Sequence, residues 1–112
     1  MPTTKLDSSQ WKDYFDNFSA RLPAKLVEIE VASLAIGDQN LTDWILLKSI
    51  SYDPKDNVLS IRTEPIQHLI YDPKEIYVEE GTEGIESIAV TDSKGDKQLI
   101  NFKEVLKLPP KA

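Results

Sequence analysis

The sequence predicts an α+β domain in which one N-terminal amphipathic helix packs on a curved antiparallel sheet of five to six strands, a small open barrel or roll. Three observations predict it. Aromatic residues recur at helical spacing between residues 11 and 18. From residue 25 onward, apolar and polar residues alternate with period two. Strong turn sequences at 53–57 and 92–95 join successive strands into hairpins.

The helix is expected over about residues 8–21. Trp11, Tyr14, Phe15, Phe18 and Leu22 line one face of a 3.6-residue period, and Lys12, Asp13 and Asp16 take the other. Asp7 suits the N-cap, with Gln10 placed to complete a capping box and Leu6 to meet Trp11 as a hydrophobic staple. Pro23 stops the helix because it lacks the next backbone donor. The aromatic stripe is read as the face that docks on the sheet, since its large rings left wet would be costly.

Strands follow at about 25–33, 43–52, 58–63, 75–80, 85–91 and 98–103. Gly37–Asp43 reads as a turn. Asp53-Pro54-Lys55-Asp56-Asn57 has proline where φ is already set and an asparagine that tolerates positive φ. In Asp92-Ser93-Lys94-Gly95 the glycine supplies a left-handed residue. Pro65 interrupts, leaving 66–71 open between a short strand and a helical turn, and the tail at 108–112 is expected to fray. The repeated Tyr-Asp-Pro-Lys at 52–55 and 71–74 has unmatched flanks, so it reads as two turns rather than a duplication. The predicted core is Trp11, Phe15, Phe18, Val27, Ile29, Val31, Leu46, Ile50, Leu59, Ile61, Val78, Ile88, Val90, Ile100 and Phe102.

A chain of 112 residues has the size of one domain, 1–112, and can bury about two-thirds of its extended surface without staples. It has no cysteine, so neither disulfides nor thiolate metal sites contribute. Met1–Gln10 has no signal-peptide pattern, and no stretch nears the ~20 apolar residues of a membrane span. The expected place is the cytoplasm, with no membrane partner.

Net charge is −6 and uneven. Residues 72–86 carry Asp72, Glu75, Glu79, Glu80, Glu83 and Glu86 against Lys74 alone, whereas 87–112 carry five lysines against three acids. This balance argues against nucleic acid as a partner, because polyanion binding draws on clustered cations. The polarity points instead to a homo-oligomer or a basic protein partner.

Catalytic constellations are absent from the sequence. His68 is the single histidine, no Gly-x-Ser-x-Gly elbow exists, and none of the four glycines precedes the predicted helix as a phosphate loop requires. The acids miss the spacing of a calcium loop, so no metal and no cofactor are expected. Glu28 and Glu30 share one strand face, and they alternate with apolar residues as a solvated face does. The leading reading is a non-catalytic binding or structural module, with Glu79, Glu80 and Glu83 as candidate contacts. The alternative is a small-molecule or enzymatic pocket formed by His68, Trp44 and Tyr71.

Several strings occur together: KLDSSQWKDYFD, VEIEVASL, SYDPKDN, HLIYDPKEIYVEEG and VTDSKGDKQ. Over about residues 3–109 the chain resembles a bacterial family of small stand-alone proteins, domain of unknown function family 5335. The resemblance implies a bacterial single-domain protein and carries no activity, ligand or catalytic residue.

Overall fold

The computed structural model of the protein describes residues 3–21, 25–33, 37–40, 44–64, 66–81 and 84–104. The one α-helix among the described residues starts from a tight turn. Ser8–Gln10 is a 3-10 turn and α1 runs over Trp11–Ala20. Asp7 caps the turn, its Oδ1 accepting the Ser9 amide at 2.9 Å and the Ser9 hydroxyl at 2.8 Å. Those two bonds, the amide first, hold the Asp7 carboxyl below its usual range. The expected capping box with Gln10 does not form. The 3-10 turn already commits the Gln10 amide to the Asp7 carbonyl, and Ser9 supplies the donor that the cap takes. Leu6 and Trp11 are both buried, and the Trp11 indole N–H donates to the Leu6 carbonyl at 3.2 Å. The expected stop at Pro23 and the Leu22 end of the stripe lie outside the described residues, as does the tail at 108–112.

Nine strands appear among the described residues, not five to six: β1 Thr3–Leu6, β2 Lys25–Ser33, β3 Gly37–Asn40, β4 Ile45–Asp53, β5 Val58–Thr63, β6 Gln67–Tyr71, β7 Pro73–Gly81, β8 Gly84–Asp92 and β9 Lys97–Glu104. Their order is β1-β7-β8-β9-β2-β4-β5-β6, with β3 also on β2, and every pairing is antiparallel. The path is open, and β1 and β6 are its edges. The three additional strands each lack a local signal. β1 has four residues, too few to display alternation, and pairs with a strand some seventy positions away. β3 is Gly-Asp-Gln-Asn, a turn composition held as strand by its hairpin to β2. β6 resolves the ambiguity at 66–71 as strand, because its five residues pair in unbroken register with β5.

The predicted core needs correction at three positions. Leu46 is 43% exposed while Leu47 is 3% exposed, since a bulge between Leu47 and Ser49 adds a residue and reverses the phase of β4 before Ile50. Val31 and Phe18 are half-buried. Leu6, Leu47, Ile70, Ile76 and Ile85 join the core instead. Both turns hold their expected left-handed residues, Asn57 at φ 54 and Gly95 at φ 87. A third, Asp72 at φ 53, turns the chain from β6 into β7, its amide on the Asn57 carbonyl and its carbonyl receiving the Ser93 amide.

Among the described residues, β2 and β4 pair only through Leu26–Leu46 and Val27–Ile45 before they part. α1 sits where they diverge, with β4 as its main neighbour. Ser19 Oγ donates to the Ile50 carbonyl at 2.6 Å and accepts the Ile50 amide at 3.0 Å, replacing the strand bonds that β2 no longer makes. Trp11 meets Tyr52 of β4 edge-on at 5.1 Å, and Phe18 meets Phe102 of β9 at 5.9 Å. The helix therefore bridges the two halves of the sheet, and the core lies between it and the inward residues of β4–β6 and of β7–β9 with β2. No described helix is long and apolar enough to cross a membrane.

Candidate functional site

Strand parity decides where the candidate residues point. On β6, Gln67 and Tyr71 are exposed while Ile70 is buried, so Tyr71, at 62% exposure, faces outward and His68 faces inward. His68 is half-buried, with Nε2 2.5 Å from Gln98 Oε1. Trp44 is half-buried just before β4, with the Lys103 ammonium 4.5 Å from its ring centre. The structure does not bring His68, Trp44 and Tyr71 into one pocket: two lie on opposite faces of β6, and the third is engaged with β9.

The acids behave differently. β7 is inward at Ile76 and Val78, so Glu75, Tyr77 and Glu79 face out. β2 is inward at Val27 and Ile29, so Glu28 and Glu30 face out from the same continuous sheet. Registers place Glu79 opposite Ser87, Ser87 opposite Asn101, and Asn101 opposite Glu28. The Asn101 amide donates to Glu28 Oε1 at 3.3 Å, tying the row together. Two acidic segments separated by more than forty residues thus share one solvent face. Glu86 reaches the same side from a bulge between Glu79 and Glu80, where its carboxylate lies against the Gly81 backbone so closely that a Cβ there would collide with it.

Electrostatics at Glu75 favour its ionised carboxylate. Lys5 sits 3.0 Å from Glu75, and that hydrogen bond and its charge hold the Glu75 carboxyl down and the Lys5 ammonium up. A general acid needs the opposite shift, so Glu75 suits contacts rather than proton donation. Among the described residues no group of three or more metal-ligating side chains converges. Glu83 lies outside the described residues.

Glu80 belongs to a different feature. The C-terminal half of α1 and the end of the β7–β8 hairpin enclose a cleft of about 320 Å³. Tyr14, Phe18 and Ile85 give it an apolar wall, and Asn17, Arg21 and Glu80 give it a polar rim. Burial, and secondarily the Glu80 charge, push the Tyr14 phenol up to about 12. Its folded value exceeds the ordinary 10, so the neutral phenol stabilises the fold below pH 10. That contribution is lost as pH rises from about 10 to 12, where the unfolded chain ionises first. Tyr14→Phe should therefore gain stability relative to the wild type between pH 9 and 11.5, read by urea unfolding at each pH. A constant difference across that range would show that Tyr14 titrates freely. The sequence hid this cleft, because Tyr14 and Glu80 are sixty-six positions apart and only the fold juxtaposes them.

No solved structure matches the chain. It is 44% identical over 110 residues to an uncharacterized protein of Aquifex aeolicus (strain VF5), covering 97% of this chain and 99% of that one. A family model, the family of unknown function DUF5335, matches residues 2–111. The chain belongs to that family.

Proposed function

We propose that the domain is a non-catalytic, cytoplasmic binding module, an open roll that meets a basic protein partner across the outer face of β7, β8, β9 and β2. The convergence of Glu28, Glu30, Glu75 and Glu79 on that face carries the reading. Strand geometry fixes the spacing of these side chains' attachment points, and Glu28 and Glu75 are further held by Asn101 and Lys5. The face carries more carboxylates than its lysines, Lys5, Lys97 and Lys103, offset, which disfavours nucleic acid. The bridging of the sheet's two halves by α1 supports the description as a roll.

A titration of isotopically labelled protein with a lysine-rich peptide tests this. Amide shifts are expected at Glu28, Glu79, Ser87 and Asn101, weakening with salt as screened surface attraction does. No shift at a peptide concentration of about 1 mM, where even a weak complex is populated, would sink the reading.

The cleft supports a second reading, a small amphipathic ligand whose apolar part lies on Phe18 and Ile85. It is a better place for such a ligand than the surroundings of His68, whose Nε2 is already committed to Gln98. Small aromatic fragments shifting Tyr14, Phe18 and Ile85, with the outer face silent, would favour this reading over the first.

A further inference from the structure

We infer that β6 is a self-pairing edge, through which two copies of the chain join antiparallel about a two-fold axis at Leu69. Among the described residues β6 pairs with β5 alone. The bonds Asp72 amide to Asn57 carbonyl and Thr63 amide to Ile66 carbonyl set the ladder's phase. Stepping by two from them, His68 and Ile70 turn their backbone groups toward β5. Gln67, Leu69 and Tyr71 therefore aim their amides and carbonyls at the free edge.

A two-fold at Leu69 sets Leu69 against its own copy and Gln67 against Tyr71 of the other copy. These are the same three residues whose backbone groups are free, so each opposed pair exchanges two hydrogen bonds without a register conflict. Their side chains all lie on the outer face, where half-buried Leu69 and exposed Tyr71 would gain apolar contact.

Edge strands usually carry a charge, a bulge or a proline against such pairing. The sequence Gln-His-Leu-Ile-Tyr has none of them, and its register with β5 is unbroken. The opposite edge, β1, is guarded by Lys5 and its ion pair to Glu75.

Charge selects a second copy and the antiparallel direction. At the Gln67 end of β6 stands exposed Arg62, with no ion pair among the described residues, while Lys48 and Glu64 neutralise one another at 2.7 Å. At the Tyr71 end stand the exposed acids Asp53, Asp56 and Asp72 with the exposed Lys55 and Lys74 among them, a net charge of −1. Antiparallel pairing brings the basic end of each copy beside the acidic end of the other. Parallel pairing would align like with like. The surface is separate from the acidic face of β7–β9 and β2, so either can fail without the other.

Amide hydrogen exchange on the full-length wild type, at about 0.5 mM and after hundredfold dilution, tests the interface directly. Leu69 and Tyr71 amides should exchange about tenfold more slowly at the higher concentration, with His68 and Ile70 protected at both. Light scattering should give a mass near twice that of the chain at the higher concentration. Leu69→Lys, which opposes two ammonium groups on the axis, should return a folded monomer. Exchange at Leu69 and Tyr71 that is fast at both concentrations, as for an unpaired edge, overturns the inference. So does a folded Leu69→Lys protein that still dimerises. Should that variant fail to fold, the wild-type exchange decides alone.

Discussion

Phe15→Ala should cost about 3–5 kcal/mol of folding stability, the range for emptying a fully buried phenylalanine site. Phe15 is 0% exposed, on the face of α1 that closes the core, and it meets Tyr14 edge-on at 5.3 Å. Its ring is held by a helix of ten residues, too short to persist in water without tertiary packing. Removing it therefore opens a cavity and loosens the element that spans the two halves of the sheet. Domains of this size are stable by about 5–15 kcal/mol, so the variant should lie near the limit of folding at ambient temperature. Urea unfolding reads the effect as a lowered midpoint at an unchanged slope. A loss below about 1 kcal/mol, the typical cost of an arbitrary substitution, would mean that the helix does not seal the core.

Much of this architecture was legible in the sequence, and the failures share a cause. The helix announced itself because its cap, staple and aromatic stripe are all local. So did the hairpins around Asn57 and Gly95, where one residue must accept a positive φ. What was missed depends on partners distant in the chain. β1, β3 and β6 are strands only because β7, β2 and β5 offer them ladders. Leu46 was placed inside because alternation was carried through a bulge that no composition marks. The outer acidic face was half visible, since Glu28 and Glu30 share a face by parity. That Glu79 joins them follows from register across three ladders, which no local pattern records. For the pocket of His68, Trp44 and Tyr71 the error was of another kind. His68 and Tyr71 are three positions apart, an odd separation that puts them on opposite faces once 67–71 is strand rather than helical turn.

Ser19→Ala should cost about 2–3 kcal/mol, more than an exposed serine on a helix would suggest. The hydroxyl satisfies both the amide and the carbonyl of Ile50, at 3.0 and 2.6 Å. Those groups point to the side of β4 from which β2 has departed, since among the described residues β2 and β4 pair only at 26–27 with 45–46. Ile50 itself is 1% exposed, so water is a poor substitute. Losing the hydroxyl orphans two backbone groups at once, each worth about 1–3 kcal/mol when buried, with partial access to solvent lowering the total. Ser19→Thr keeps the oxygen and should recover most of the stability, at the few tenths of a kcal/mol that a β-branched residue costs in a helix. The Ile50 amide separates this mechanism from a general loosening of α1. In Ser19→Ala its hydrogen exchange should accelerate well beyond that of Leu59, whose amide faces Ile70 in the β5–β6 ladder. Equal acceleration at Ile50 and Leu59 would show that the serine merely supports global stability, and that the divergence of β2 from β4 is bridged by packing rather than by this hydroxyl.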